Sequence, residues 1–305
     1  MNQKSILIIK LGALGDFIQS LGIMRAIRQA HPTDKIVLLT TKPFEKIAAR
    51  SGYVDELIID KRPKWYEPLD WVKLSSTLNK NRFGRVYDLQ NNDRTSFYFK
   101  LFKPKPQWVG VAKGASHRNT SKDRTSDKAF YGLVQNLSLA SIDDIDIDTL
   151  EWMKSEKSFV KPQTPYVLIV PGGAPKHPHK RWPKEHYKDL CEHLNAKNIL
   201  PVLIGTKDDA DATDFIKSKV PTCLDLNGKT DLLDLPTLAR VAMAAVGNDT
   251  GPMHMIGPTG CKTIVLFGDK TNPKRHSPLG SKVVTLQKEN MADISVENVL
   301  GAVFD

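Results

Sequence analysis

Ile6-Leu7-Ile8-Ile9-Lys10-Leu11-Gly12-Ala13-Leu14-Gly15-Asp16 opens on four apolar residues and closes on two glycines three apart and a carboxylate. Phe17, Ile18, Leu21, Met24 and Ile27 then recur at helical spacing. That order predicts a short buried strand, a tight glycine turn and an amphipathic helix. Glycine at the turn permits a positive φ and lets a ligand approach the backbone, and the helix N-terminus favours an anion. The spacing is GxxG and not GxGxxG, and the second apolar run is followed by Thr40-Thr41-Lys42, without the acidic residue that holds a dinucleotide ribose. Asp16 has two readings. With Gln19 three residues on, it makes a capping-box pattern at a helix start. At the mouth of a cleft, its carboxylate would instead take a proton from an attacking hydroxyl.

The pattern repeats outward from this stretch. Ile36 to Leu39, Leu57 to Ile59, Val86 to Leu89 and Trp108 to Val111 are short apolar runs separated by helical patterns, as buried parallel strands are. A second series runs through Tyr166 to Val170, Val202 to Ile204, Cys223 to Leu226, Ala244 to Val246, Thr263 to Phe267 and Val283 to Leu286. Between the series, Asp143 to Pro165 is polar, acidic at first, and ends in Pro162 and Pro165, as an approach to a linker would. The fold class expected is α/β: two Rossmann-like domains facing a central cleft, with boundaries at residues 1–160 and 161–305. Each domain is long enough to bury its own core. The final helix, near Ser295 to Ala302, is left open between the two domains.

Lys and Arg number 44 against 34 acids, and the resulting +10 favours anionic partners such as phosphates, nucleic acid or an acidic membrane surface. Residues 100 to 128 concentrate it: Lys100, Lys103, Lys105, Lys113, Arg118, Lys122, Arg124 and Lys128 stand against Asp123 and Asp127. The run is read as binding an anionic partner and a membrane surface, and the alternative is a solvated, disordered loop. No apolar stretch is long enough to span a bilayer, and the N-terminus lacks the h-region and cleavage site of a signal peptide, so a cytoplasmic location is expected. Cys191, Cys223 and Cys261 are too widely spaced for CxxC zinc pairing and read as buried free thiols.

In the second half, Pro171-Gly172-Gly173-Ala174 follows a strand and leads into Lys176-His177-Pro178-His179-Lys180-Arg181 and then Trp182-Pro183. Pro183 suits the first position of a helix through Tyr187, Leu190, Cys191 and Leu194. A glycine loop that brings Lys180 and Arg181 together suits a diphosphate leaving group; a solvated basic loop is the alternative. Asn248-Asp249-Thr250-Gly251-Pro252-Met253-His254 again puts a polar glycine turn between a strand and a helix, with Asp249 or Thr250 as cap and backbone N–H groups open to a phosphate at Gly251. His254 points into the cleft or sits on the polar face of that helix. His177 and His179 without a third ligand, and the acidic clusters Asp208-Asp209-Ala210-Asp211 and Asp143-Asp144-Ile145-Asp146, do not call for a metal ion.

Taken in order, Gly12-Ala13-Leu14-Gly15-Asp16, Tyr87-Asp88-Leu89-Gln90, Lys180-Arg181-Trp182-Pro183, Asn248 to His254, and Phe267-Gly268 followed by Ser277-Pro278 resemble glycosyltransferase family 9, the ADP-heptose:lipopolysaccharide heptosyltransferases, over nearly the whole chain. The resemblance implies a GT-B fold and an inverting, metal-independent, cofactor-free transfer, with Asp16 activating the acceptor hydroxyl and Lys180 steadying the departing diphosphate. It implies that Asp249, Thr250, Gly251 and His254 contact the donor, beside Gly172, Gly173 and Arg181. Where the family commonly has a glutamate for the donor ribose, this chain has Asp209 as nearest candidate, and where some members have a hydroxyl residue five before the lysine it has Pro175. Gly12, Gly15, Arg94, Lys113, Arg118 and Arg124 are the acceptor-side candidates.

The function expected is transfer of a heptose or related sugar from an ADP-sugar to an anionic lipopolysaccharide core glycolipid. The enzyme would sit peripherally on the inner face of the cytoplasmic membrane, with no nucleic-acid partner. Three alternatives stand beside it: a GT-B transferase using another nucleotide sugar, an NADP-dependent Rossmann oxidoreductase, and a non-catalytic binder of nucleic acid or anionic surfaces.

Overall fold

A computed structural model describes residues 5–155, 162, 164–173 and 177–305, with Arg124 described in its backbone only. The expected boundary between residues 160 and 161 lies outside the described residues, as do Ala174, Pro175 and Lys176. By its internal contacts the chain divides into two compact units, Met1–Asp148 and Thr149–Asp305. Residues on the near side of the expected boundary are tied to the second unit. Leu150 and Met153 are fully buried there, Arg240 donates to both their carbonyls, and Ser155 donates to Asp234 and Thr237.

In the first unit, β1 (Ser5–Ile9), β2 (Lys35–Thr40), β3 (Glu56–Ile59), β4 (Arg85–Asp88), β5 (Gln107–Gly110) and β6 (His117–Arg118) form one sheet in the order β3-β2-β1-β4-β5-β6. Every pairing is parallel, and Ile8 lies between Leu38 and Tyr87. Leu7, Ile8 and Ile9 are fully buried, because helices cover both faces of a parallel sheet and a central strand then has no polar side. The helices are α1 (Leu14–Gln19), α2 (Leu21–Ala30), α3 (Glu45–Arg50), α4 (Pro68–Lys80), α5 (Asp93–Tyr98) and α6 (Ala129–Ser138). The helix expected after the first glycine turn is thus two, parted at Ser20, whose hydroxyl donates to the Phe17 carbonyl at 2.7 Å.

In the second unit, β7 (Tyr166–Val170), β8 (Leu200–Leu203), β9 (Leu224–Asp225), β10 (Ala244–Asn248), β11 (Lys262–Phe267) and β12 (Val283–Gln287) form a parallel sheet in the order β12-β11-β10-β7-β8-β9. Counted from its own first strand, this is the same order as in the first unit. Both are the doubly wound, Rossmann-like topology expected, with strand order reversing beside the first strand of each unit. The helices are α7 (Lys184–Ala196), α8 (Ala210–Lys219), α9 (Asp234–Ala239), α10 (Gly251–Ile256), α11 (Pro273–His276) and α12 (Val296–Phe304).

Every strand read from an apolar run is present, and β6 is an addition. Two residues are too few to show a periodicity. The basic segment from Lys100 to Lys128 therefore carries β5, β6 and a turn and is not a featureless loop. Pro183 is the residue before α7 and not its first, since its ψ of 136° is extended. The three cysteines are buried and free, as expected. The last helix, which the sequence left open, packs on α7 and β11, with Val299 and Val303 in the second unit's core.

Candidate functional site

The carboxyl end of β1 carries the first turn. Gly12 has φ +129°, a conformation that favours glycine, and a Cβ built there would press on the Phe44 ring at 3.0 Å. The turn is fixed from β4 and β2: Gln90 Oε1 accepts from Leu11 N at 2.9 Å, and Thr41 Oγ1 donates to the Leu11 carbonyl at 3.1 Å. Lys10 runs beneath it, buried, with Nζ donating to the Leu89 carbonyl at 3.0 Å. Burial lowers the Lys10 pKa, against the attraction of Asp16 and Asp88, which favours the charged form.

The capping reading of Asp16 does not hold. Ala13 is the N-cap residue of α1 and no side chain caps it, because the turn delivers the chain into the helix three residues earlier than the Asp16/Gln19 pattern requires. Gln19 instead accepts from Phe130 N at 3.3 Å. Asp16 is left in the first helical turn, with Gly15 before it, partly exposed and with its charge near that of Lys10.

The other acceptor-side candidates are scattered. Arg94 Nη1 donates to the Pro63 carbonyl at 3.1 Å and its guanidinium lies over Trp71, so it supports a turn. Lys113 is exposed, and Arg118 lies on β6, three strand positions from β1, roughly 14 Å away at ordinary strand spacing. The side chain of Arg124 lies outside the described residues.

In the second unit the loops after β7, β8 and β10 converge. Lys180, in a 3-10 turn over Pro178–Lys180, makes an ion pair with Asp249 at 2.7 Å. Arg181 donates to the Gly173 carbonyl. A Cβ built on Gly173 would lie 3.5 Å from Arg181 Cγ and 3.7 Å from Thr250 Cγ2, so a side chain at Gly173 would just fill the space beside both residues. Thr250 is the N-cap residue of α10 by position but caps nothing through its side chain. Its hydroxyl and Arg181 Nε are buried with no hydrogen-bond partner among the described residues. Gly251 opens α10, and His254 is buried within it, not on a solvated face.

Asp209 is engaged otherwise than as an open ligand. One oxygen accepts from Gly173 N at 3.1 Å, and the other accepts from Thr206 N and the Thr206 hydroxyl, at 2.9 and 3.0 Å. Its approach also explains Gly172, where a Cβ would fall 2.2 Å from the Asp209 carboxylate. The acidic clusters are similarly occupied: Asp211 pairs with Lys184 and Asp143 accepts from Ser138. Among the described residues no three His, Cys, Asp or Glu side chains come together as metal ligands would.

Two residues that sequence reasoning quoted without giving a role turn out to organise the loops. Asn248 is fully buried; its amide nitrogen donates to the Pro171 and Gly172 carbonyls, both at 2.9 Å, and its oxygen accepts from Trp182 N and the Tyr187 hydroxyl, both at 3.0 Å. Trp182 Nε1 donates to the Ile294 carbonyl at 2.9 Å, joining the basic loop to the segment before α12. In sequence the only signal for Asn248 is a polar residue at the end of a strand that is otherwise apolar.

What this arrangement offers is a cationic cluster of Lys180 and Arg181 over a glycine backbone and a helix start, which suits a diphosphate, and, in the other unit, a carboxylate able to take a proton.

A family model described as glycosyltransferase family 9 (heptosyltransferase) matches residues 71–303. The chain is 25% identical to lipopolysaccharide heptosyltransferase 2 of Escherichia coli strain K12, over 92% of this chain and 88% of that protein. The solved structure of E. coli ADP-heptose lps heptosyltransferase II is similar at TM-score 0.75 and 21% identity, covering 98% of this chain and 97% of that one. The structure of E. coli heptosyltransferase WaaC with ADP is similar at TM-score 0.76 and 16% identity, covering 97% and 98%. At these identities the structural matches establish the shared GT-B fold. No helix among the described residues is long and apolar enough to cross a membrane.

Proposed function

The chain belongs to glycosyltransferase family 9, and from that premise we propose that it transfers a heptose from ADP-heptose to the core of a lipopolysaccharide, with inversion at the anomeric carbon and without a metal ion. Family membership selects glycosyl transfer over the NADP-dependent oxidoreductase and the non-catalytic binder. The relatives are lipopolysaccharide heptosyltransferases and a similar structure holds ADP, which supports a heptosyl donor carried on ADP and a lipopolysaccharide acceptor.

The observation that carries the reading is the Lys180–Asp249 ion pair, set beside Gly173, Arg181 and Thr250. An ammonium held by a carboxylate at the start of a helix is oriented before the donor arrives, and preorganised charge is what stabilises a developing diphosphate. In the proposed reaction Asp16 takes the proton of the acceptor hydroxyl as its oxygen bonds to the anomeric carbon. The bond from that carbon to the diphosphate oxygen breaks, and ADP leaves with its added negative charge on Lys180 and Arg181. A single displacement of this kind inverts the configuration. Thr250, Gly251 and His254 stand as donor contacts, and Asp209 acts through Gly173, whose N–H it holds. The acceptor is an anionic glycolipid, which would place the enzyme at the inner face of the cytoplasmic membrane.

The test is turnover of ADP-heptose with a deacylated core acceptor, followed by ADP release and by NMR of the new anomeric centre. Asp16→Asn should lose about 10² to 10⁴ of the rate, the range of a general base, with donor affinity nearly unchanged. A variant that keeps its rate would remove Asp16 from the chemistry. Inactivity with ADP-heptose alongside turnover of another nucleotide sugar would move the chain to that donor.

A further inference from the structure

The first unit carries a cluster of exposed apolar side chains that the chemistry above does not use. Trp65 is 87% exposed, Leu69 74%, Val72 65%, Tyr66 55% and Phe97 45%. Leu69 and Val72 share one face of α4, and Trp65 and Tyr66 precede it in a turn that is firmly built. Lys64 N donates to Glu67 Oε2 at 2.7 Å, Glu67 N to the Lys64 carbonyl at 3.0 Å, and Trp71 Nε1 to the same carbonyl at 2.9 Å. Arg94 holds the Pro63 carbonyl from α5 at 3.1 Å. The aromatic rings are therefore presented to solvent by a braced turn.

The same contacts bring the beginning of the basic segment alongside. Trp71 meets Phe97 edge to face at 5.2 Å, and Lys100 Nζ lies 5.9 Å from the Phe97 ring. Asn79 of α4 donates to the Leu101 carbonyl at 2.9 Å and accepts from Lys103 N at 2.7 Å. On the other side Lys64 Nζ lies 5.5 Å from the Tyr66 ring. The two acids between Lys64 and Lys73 are engaged, Glu67 by Lys64 N and Asp70 by Lys73 at 3.3 Å.

We propose that Trp65, Tyr66, Leu69, Val72 and Phe97, rimmed by Lys64, Lys73 and Lys100, form the face by which this chain docks on an anionic lipid bilayer. The inference rests on the proposed glycolipid acceptor, which puts the substrate at a membrane. Trp and Tyr favour the boundary between headgroups and acyl chains, aliphatic side chains beside them enter it, and lysines reach along apolar surface to the phosphates. Charge decides against a second copy as the occupant: two such faces would bring like-charged lysine rims together, in a chain of net charge +10.

Co-sedimentation of the full chain with phosphatidylglycerol/phosphatidylcholine vesicles, against phosphatidylcholine alone, tests it. The wild-type chain should bind the anionic vesicles, less so as salt rises. The triple variant Trp65→Ser, Leu69→Ser, Val72→Ser should bind about tenfold more weakly or worse at an unchanged melting temperature. Reversing the rim with Lys64→Glu, Lys73→Glu and Lys100→Glu should abolish the preference for anionic lipid. Equal binding by the triple variant, no binding by the wild type, or a wild-type dimer that the triple variant dissolves would overturn the proposal. These vesicles hold no glycolipid, so the result is read whether or not sugar transfer is ever observed.

Discussion

Asn248 uses all four hydrogen-bonding positions of its amide, two donations to carbonyls of the glycine loop and two acceptances from the residues flanking the start of α7. The carbonyls on one side and the backbone N–H on the other dictate which atom is nitrogen. Asn248→Asp keeps the shape but turns an oxygen toward the Pro171 and Gly172 carbonyls. It should cost about 3 kcal/mol or more in urea unfolding, since buried partners are left unpaired; a cost below about 1 kcal/mol would mean that the loops do not depend on it. Asp88, at the end of β4, is the other buried polar residue with a measurable signature. Its Oδ1 accepts from Gln90 N and Asn91 N, both at 3.0 Å, and burial pushes its pKa up to about 6. The folded pKa lies above the unfolded value of about 3.9, so the folded chain binds the extra proton and the stability from this group falls as pH rises from about 4 to 6. Asp88→Asn keeps an acceptor for both N–H groups and removes the titration. The stability of the variant relative to wild type should therefore rise between pH 4 and 7, by up to roughly 3 kcal/mol. Urea unfolding at a series of pH values checks this, and a difference that does not vary with pH would refute it.

Among the elements, α12 shows how a terminal helix reaches the site. Ser295 caps it, accepting from Asn298 N at 3.2 Å, and Val296, Val299 and Val303 turn into the core against α7 and β11. Trp182, in the loop that carries Lys180, donates to Ile294 just before the helix, so α12 supports that loop from below. Val299→Ala, at a fully buried position, should cost roughly 2 kcal/mol in denaturant unfolding and weaken donor binding through Trp182. A stability loss with unaltered donor affinity would confine α12 to the core. The start of α1 and the strand β6 teach a complementary lesson. The Asp16/Gln19 spacing is a good cap pattern, yet the chain enters the helix at Ala13, because the glycine turn and not the side chain sets where helical dihedrals begin. β6 exists through its pairing with β5, His117 beside Val109 and Arg118 beside Gly110, and pairing leaves no trace in so short a run.

Across the whole molecule, two sheets of identical strand order arise from two stretches of sequence that each repeat apolar runs and helical periods. That much was legible because a parallel strand buried on both faces must be apolar along its length, and the crossover between parallel strands leaves room for a helix. The glycine turns, the basic loop and the Asn248 to His254 run were legible for a similar local reason: positive φ, close backbone approach and anion binding each demand particular residue types at one place. Other features required the folded chain. Asn248 bonds Pro171 and Gly172, 77 and 76 residues away, Asp209 reaches Gly173 across 36, and the turn after β1 is held by Gln90 across 79. The same holds for the last helix, which joined the second unit, and for the turn at Trp65, braced from α5. By itself, then, the sequence determined the fold class, the family and the places of the glycine and basic loops, because local sterics and burial write themselves into residue type. The tertiary structure alone decided which polar groups are already engaged, where Asp16 stands in its helix, and which exposed rings lie beside which lysines, because those depend on partners far along the chain that only packing brings together.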